Sequence, residues 1–300
     1  MRAPSGRFAR ISTAPCAALR AINLSRNAAL GPEGLAAVCA GAKTLANLQK
    51  LILRDLNASG VAADAVAELV ASAPRLAVLD LSGATLDVAA GDVARLRAGL
   101  DRRHNSARAG DGDGDMSDTP TPLALELDGV ALGDGGAVAL AGGAEDGGAS
   151  GFVAARVSLR GCAVGADGAR ALARACGAST ETLVLRENAL GDAGARAVAA
   201  ALASNETSSS LSSLDLGCNG VGAGGAAAVA RGARGVRDLS LFGNATMGNE
   251  GLMAFAAGDA ETSRALSALR SLDLGGCGAD EAGLVAFAEA LAGDAARLPR

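Results

Sequence analysis

Leucines recur along the chain in two alternating rhythms. Short stretches such as Leu183-Val-Leu185 and Leu214-Asp-Leu216 alternate apolar and polar positions, as a strand with one buried face requires. Each is followed by a longer stretch with apolar groups at helical spacing, such as Val93, Leu96 and Leu100 or Leu284, Phe287 and Leu291. The pair of rhythms repeats nine times. Central leucines stand at Leu24, Leu53, Leu81, Leu127, Leu159, Leu185, Leu216, Leu241 and Leu274, at intervals of 25 to 46 residues. The pattern predicts nine strand–helix units in which every helix carries the chain back to the next parallel strand.

Six units are clear, among them Leu19-Arg-Ala-Ile-Asn-Leu-Ser-Arg-Asn27, Leu183-Val-Leu-Arg-Glu-Asn188 and Leu269-Arg-Ser-Leu-Asp-Leu-Gly-Gly-Cys277. Three are degenerate, at Leu48 to Leu56, Leu76 to Ala84 and Leu125 to Val130. An Asn or Cys three residues after the last leucine falls where the strand turns inward. Its buried side chain bonds turn groups that otherwise lose a partner at about 1–3 kcal/mol each. Asn27, Cys162, Asn188, Asn219, Asn244 and Cys277 hold this position and are expected to stack as a ladder. Behind it, Leu190-Gly-Asp-Ala-Gly194 and its relatives supply a turn and a glycine where helix backbones pack closely.

The pattern LxxLxLxxN/C is that of leucine-rich repeats. The long helical half resembles the ribonuclease-inhibitor-like subfamily, shared by Ran GTPase-activating proteins and NOD-like receptors. The resemblance covers residues 19–298 and implies an α/β solenoid, with a curved parallel sheet on the concave face and helices on the convex face. Residues 1–18 precede it as a cap or short targeting segment. They carry Arg2, Arg7 and Arg10 and no acid, as transit peptides do. The widest interval, 46 residues, is expected to hold a disordered insertion at 102–121 around Ala109-Gly-Asp-Gly-Asp-Gly-Asp-Met-Ser-Asp118. Ser204 to Ser210 and Gly258 to Ser263 read as shorter loops.

Composition supports a thin core. With 73 Ala and 42 Gly among 300 residues, large side chains are too few to fill a deep interior. A net charge of −5 disfavours nucleic acid, which needs clustered Lys and Arg. No window reaches the roughly 18 apolar residues of a membrane span. Six scattered Cys without a CxxC pair suit a reducing compartment, so a cytoplasmic location is expected, with organelle import through residues 1–18 as the alternative.

Candidate chemistry is thin. Asp111, Asp113 and Asp115 open like an EF-hand loop, but Met116 stands where Gly is needed and Pro122 where the bidentate Glu belongs. The single His, His104, falls in the expected insertion, leaving no rigid partner for a catalytic triad. The glycine clusters lack GxxxxGK[ST] and fall on repeat turns. No catalytic residue, metal or cofactor is expected.

The informative surface is the outward strand positions. Acids (Asp80, Glu126, Asp128) precede arginines (Arg156, Arg160, Arg186), and acids follow again (Asp215, Asp238, Asp273). With Arg54 and Phe242 these form the expected site for a partner protein on the concave face of a monomer. The arginines and Phe242 are the expected anchors, because Arg and aromatics are enriched at hot spots. The resemblance to Ran GTPase-activating proteins implies an alternative role as regulator of a small GTPase. The chain departs from that family in lacking its acidic C-terminal tail, since it stops at Ala295-Ala-Arg-Leu-Pro-Arg300.

Overall fold

The structure, a computed structural model, describes residues 18–109, 120–142, 154–176, 179–204, 210–256 and 260–295. Strands β1 (Ala21–Asn23), β2 (Lys50–Ile52), β3 (Val78–Asp80), β4 (Leu123–Glu126), β5 (Ala154–Ser158), β6 (Thr182–Val184), β7 (Ser213–Asp215), β8 (Asp238–Ser240) and β9 (Ser271–Asp273) form one parallel sheet in chain order. Helices alternate with them: α1 (Pro32–Ala42), α2 (Val61–Ser72), α3 (Asp92–Ala109), α4 (Gly133–Leu140), α5 (Ala166–Ala175), α6 (Gly191–Ser204) and α7 (Ala223–Gly232). The eighth unit carries α8 (Gly248–Met253) and α9 (Ala260–Leu266), the ninth α10 (Glu281–Ala295). The nine units form a leucine-rich-repeat solenoid, sheet on the concave face and helices on the convex one.

The middle residue of each strand points inward and stays in register from Leu51 and Leu79 to Leu214 and Leu239. The core is a single sheet-wide layer of leucines. Leu53, Leu81, Leu127, Leu159, Leu185, Leu216 and Leu241 are at most 1 % exposed. Buried alanines such as Ala169, Ala195 and Ala226 let successive helices approach over this layer.

The asparagine ladder exists in the clear repeats and works between neighbours. Asn219 Nδ2 donates to the carbonyls of Leu185, Leu216 and Gly217 at 2.9–3.0 Å. Its Oδ1 accepts the Asn188 N–H at 3.2 Å. Asn244 Oδ1 in turn accepts the N–H groups of Asn219 (2.8 Å) and Val221 (3.0 Å), and Asn188 Oδ1 accepts those of Cys162 and Val164. Each asparagine therefore closes the turn of the repeat before its own. Cys162 offers its thiol to the Leu127 carbonyl at 3.1 Å. Cys277 is buried, without a side-chain bond of this kind among the described contacts. Asn27 is exposed and, among the described residues, donates to Leu24 O at 2.7 Å within its own turn. In the degenerate repeats Leu56, Ala84 and Val130 are buried at the ladder position. Between the second and third, turn backbones pair directly instead, Thr85 N–H to Leu56 O and Ala58 N–H to Thr85 O.

A second link joins the helix starts. Asp134 Oδ1 accepts the N–H groups of Gly165 and Gly168 in the following repeat, both at 2.8 Å. Asp192 Oδ1 accepts Gly222 N–H at 2.7 Å. Asn249 Oδ1 accepts Asp280 N–H at 3.0 Å. An Asp or Asn side chain in the first turn of one helix thus satisfies donors at the next helix N-terminus, which have no partner within their own helix. The glycines leave room for that acid. A Cβ on Gly225 would lie 2.6 Å from Asp192 Oδ1 and 3.0 Å from Asp192 Cα. Gly225→Ala is therefore expected to cost about 1–3 kcal/mol as an overpacked contact. Gly41→Ala, in α1 with open space around it, is expected to gain about 0.5–1 kcal/mol from helix propensity and a stiffer unfolded chain. Denaturation midpoints of opposite sign would show this, and equal gains would remove the packing account of Gly225.

The structure corrects three expectations. Residues 102–109, placed in a disordered insertion, continue α3; the remainder of the Asp-rich segment, residues 110–119, lies outside the described residues. The reason is Arg103, whose guanidinium is buried and donates to the carbonyls of Ala73, Pro74, Leu76 and Thr121 at 2.7–3.0 Å. His104 accordingly sits on a helix rather than in a linker. Residues 260–263, read as loop, begin α9. On α10, Leu284 and Leu291 stay half exposed beside Val285, on a flank that the following helix covers in earlier repeats. Residues 1–17 and the EF-hand-like Asp111, Asp113 and Asp115 lie outside the described residues.

Candidate functional site

Sheet register sorts the outward positions into three columns. The first runs Lys50, Val78, Ala124, Arg156, Thr182, Ser213, Asp238, Ser271. The second runs Asn23, Ile52, Asp80, Glu126, Ser158, Val184, Asp215, Ser240, Asp273. Two residues on, where each strand has ended, a third column holds Arg54, Ser82, Asp128, Arg160, Arg186, Gly217, Phe242 and Gly275, joined by backbone bonds such as Gly161 N–H to Arg186 O. Neighbouring repeats stand roughly 4.8 Å apart along such columns. From Asp128 to Asp273 the columns line a groove of about 490 Å³, with Arg156, Arg160 and Arg186 toward one end and Asp215, Asp238 and Asp273 toward the other.

The charges differ in how far they are already satisfied. Arg54 meets Asp80 at 2.5 Å, Arg156 meets Glu126 at 2.9 Å, and Arg160 meets Glu187 at 2.6 Å. Asp80, expected as a contact for a partner, is 2 % exposed. Its Oδ1 accepts Ser82 N–H and Oγ–H while Arg54 covers Oδ2, so the carboxylate is turned into the turn and spent there. Asp128 is spent similarly, on Ser158 Oγ–H and Arg160 N–H. Hydrogen bonding from Arg160, with Arg186 also beside it, holds the Glu187 carboxyl below the usual glutamate range. Exposed pairs of this kind add little stability, about 0–1 kcal/mol each. They do remove net charge from the arginine end.

The acid end is uncompensated. Asp215, Asp238 and Asp273 enter no ion pair among the described residues. Asp215 accepts only Gly217 N–H (2.8 Å), and Asp273 accepts Gly275 N–H (3.0 Å) and Ser240 Oγ–H (3.5 Å). Beside them Phe242 is 39 % exposed, and the Arg186 guanidinium lies over its ring at 4.9 Å. Reading charges by sequence position pointed to the arginines as anchors. The pairing shifts the unsatisfied charge to the aspartates.

Elsewhere the side chains are quiet. Burial pushes the thiols of Cys39, Cys162 and Cys176 up to about 12, away from thiolate chemistry. Among the described residues no three His, Cys, Asp or Glu side chains are grouped to hold a metal ion, and no helix is long and apolar enough to cross a membrane. Sequence reasoning missed the roles of Arg103, Asp134 and Asp192. The recurring Gly-Asp-x-Gly spacing was the only available signal, and it covers just the aspartates.

A family model described as Leucine Rich repeat matches residues 16–39, 181–199, 207–230 and 236–256. These segments fall on the first and the sixth to eighth units, and leave out the units whose ladder position is Leu, Ala or Val. No curated protein matches the chain. Among solved structures, it is similar to the leucine-rich repeat-containing protein LegL7 from Legionella pneumophila at 16 % identity and TM-score 0.44, over 92 % of this chain and 91 % of that one. An internalin (inlF) from Listeria monocytogenes is similar at 15 % identity and TM-score 0.31, over 78 % of this chain and 69 % of that one. The family's repeat is matched in four segments, and the nine strand–helix units build the fold of a leucine-rich-repeat solenoid.

Proposed function

We propose that the chain is a non-catalytic interaction module that binds another protein in the groove of its concave face. The observation that carries this reading is the groove itself. It runs over strands β5 to β9, and it is lined by the carboxylates of Asp215, Asp238 and Asp273, which have no ion-pair partner among the described residues. Complementary charge of this kind selects partners and speeds their encounter. On the helix side a second depression, of about 650 Å³, lies at α10 around Asp280, Glu281, Val285 and Glu289; it is confined to one repeat, whereas the groove crosses β5 to β9.

The test is capture from the native extract with two charge-matched variants. Asp215→Lys with Asp238→Lys reverses two groove acids. Asp167→Lys with Glu250→Lys reverses two exposed acids on the helices. Recovery of the partner is expected to fall at least tenfold for the groove pair and to hold for the helix pair. The opposite result would move the working surface to the convex side. Assay of the recovered partner for GTP hydrolysis, with and without the chain, decides whether the reading extends to a small GTPase.

A further inference from the structure

Four of the six large apolar side chains exposed among the described residues lie in the two end units, Leu19 in the first and Leu284, Val285 and Leu291 in the ninth. In α6 the positions of Leu284 and Leu291 are held by Ala195 and Leu202, buried in a helix packed between α5 and α7. The backbone edges match in the same sense. Leu241 and Gly243 donate to the carbonyls of Asp273 and Gly275 in the next repeat, as Asn219 and Val221 donate to Asn244 Oδ1. The corresponding N–H groups of the ninth unit, on Leu274, Gly276, Cys277 and Ala279, have no partner among the described residues. At the other end Asn27 Oδ1 accepts no N–H group there, and the Gly31 N–H that opens α1 is likewise unpartnered. Its counterpart Gly165 meets Asp134 of the preceding repeat, and Glu281 holds the place of Asp134 in the last unit. Charge divides the same way. The first unit carries Arg20, Arg26 and Lys43 against Glu33; the ninth carries Asp273, Asp280, Glu281 and Glu289 against Arg270. Arg26 and Lys43 pair with Asp55 and Glu68 of the second unit, whereas Arg20 and the four acids of the ninth enter no ion pair among the described residues.

We infer that the ninth unit docks head to tail on the first unit of a second copy of this chain, in place of the monomer expected from the sequence. β1 of one copy then continues the sheet beyond β9 of the other, as an unpaired strand edge is ready to do. Asn27 of the second copy accepts the N–H groups of Cys277 and Ala279, and Glu281 accepts that of its Gly31. Leu284 and Leu291 come to lie under α1 of that copy, so the contact reproduces the one each repeat makes with its successor. Opposite charge selects this arrangement over two ninth units facing each other, which would set Asp280, Glu281 and Glu289 against their own kind. A head-to-tail contact leaves one free end of each sort, so assembly does not stop at a dimer. The concave groove stays open in every copy, and its proposed role is independent of this association.

The test is sedimentation velocity of the full chain over about a hundredfold range of concentration, since association follows mass action. The weight-average mass is expected to rise past twice that of the chain without levelling at a dimer. Two variants each disable one end. Leu284→Glu with Leu291→Glu puts carboxylates into the apolar contact of the ninth unit, and Leu19→Glu sets one on the first unit, opposite the acids. All three positions are exposed, so the circular dichroism melts are expected to stay as they are. Each variant alone is expected to sediment as a monomer at every concentration. Their equimolar mixture holds one intact end of each sort and is expected to give a dimer and nothing larger. Should either variant unfold, Leu284→Glu alone or Arg20→Glu disables the same end. A full chain that stays monomeric throughout, as it would if its own residues 1–17 covered the first unit, overturns the inference. So does a mixture that stays monomeric. Association of the Leu19→Glu variant by itself would mean that ninth units meet each other, and association of the double variant by itself would place the contact elsewhere; either result overturns it.

Discussion

Arg103→Met is expected to lower the stability of the chain by about 3 kcal/mol, measured as a shift in the urea midpoint at constant slope. The methionine fills similar space but has no donor. Carbonyls of Ala73, Pro74, Leu76 and Thr121 then lose the guanidinium at once. Unpaired buried acceptors cost about 1–3 kcal/mol each, partly offset because a charged group no longer has to be buried. That burial is visible in the guanidinium itself, pushed down to about 10 by desolvation. Arg103→Lys is expected to recover less than half of the loss, since one ammonium cannot span carbonyls on both sides of the insertion. An unchanged midpoint in the methionine variant would show that the return from α3 to β4 is held by other contacts.

Asn219→Ala is expected to cost about the same, about 3 kcal/mol, while Asn27→Ala costs under about 1 kcal/mol. The two residues share a repeat position and differ in what surrounds them. Asn219 is 3 % exposed and serves three carbonyls and an N–H in two repeats. Asn27 is exposed and serves one carbonyl of its own turn. Its freed acceptor returns to water; those around Asn219 do not. Urea midpoints of the two variants decide it, and equal losses would mean that the ladder adds nothing beyond its local turn.

The leucine periodicity made the fold legible because solenoid cores are one side chain deep. Inward positions must then be apolar in every copy, so the pattern recurs undiluted. The ladder was legible for the same reason, being a position of fixed burial. Asp80 and Arg103 were not. A hydropathy pattern assigns charged groups to solvent, whereas Asp80 is sunk by the Ser82 turn and Arg103 by a ring of carbonyls from segments distant in sequence. The charge bands on the concave face were visible as letters. Their pairing across repeats, which leaves only the aspartate end unsatisfied, depends on side-chain reach between strands and on Glu187, a turn residue outside the bands.

From the fourth unit onward the two inter-repeat links point in opposite directions along the chain, and this gives synthesis an order there; between the second and third units the helix-start link is reversed, Asp92 accepting the Gly60 N–H. A ribosome releases the repeats one after another from the N-terminus, and segments fold as they emerge. A newly emerged repeat of the clear kind has open turn N–H groups until the asparagine of its successor arrives, as Cys162 and Val164 wait for Asn188. Asp134 and Asp192, by contrast, are in place before the helix starts they cap. The nascent chain therefore carries a receptive end that templates the next helix and is sealed by the next turn. Over these later repeats growth advances like a zip whose last tooth is unlatched, so a pause in translation there leaves exposed the most recent repeat and keeps those behind it closed.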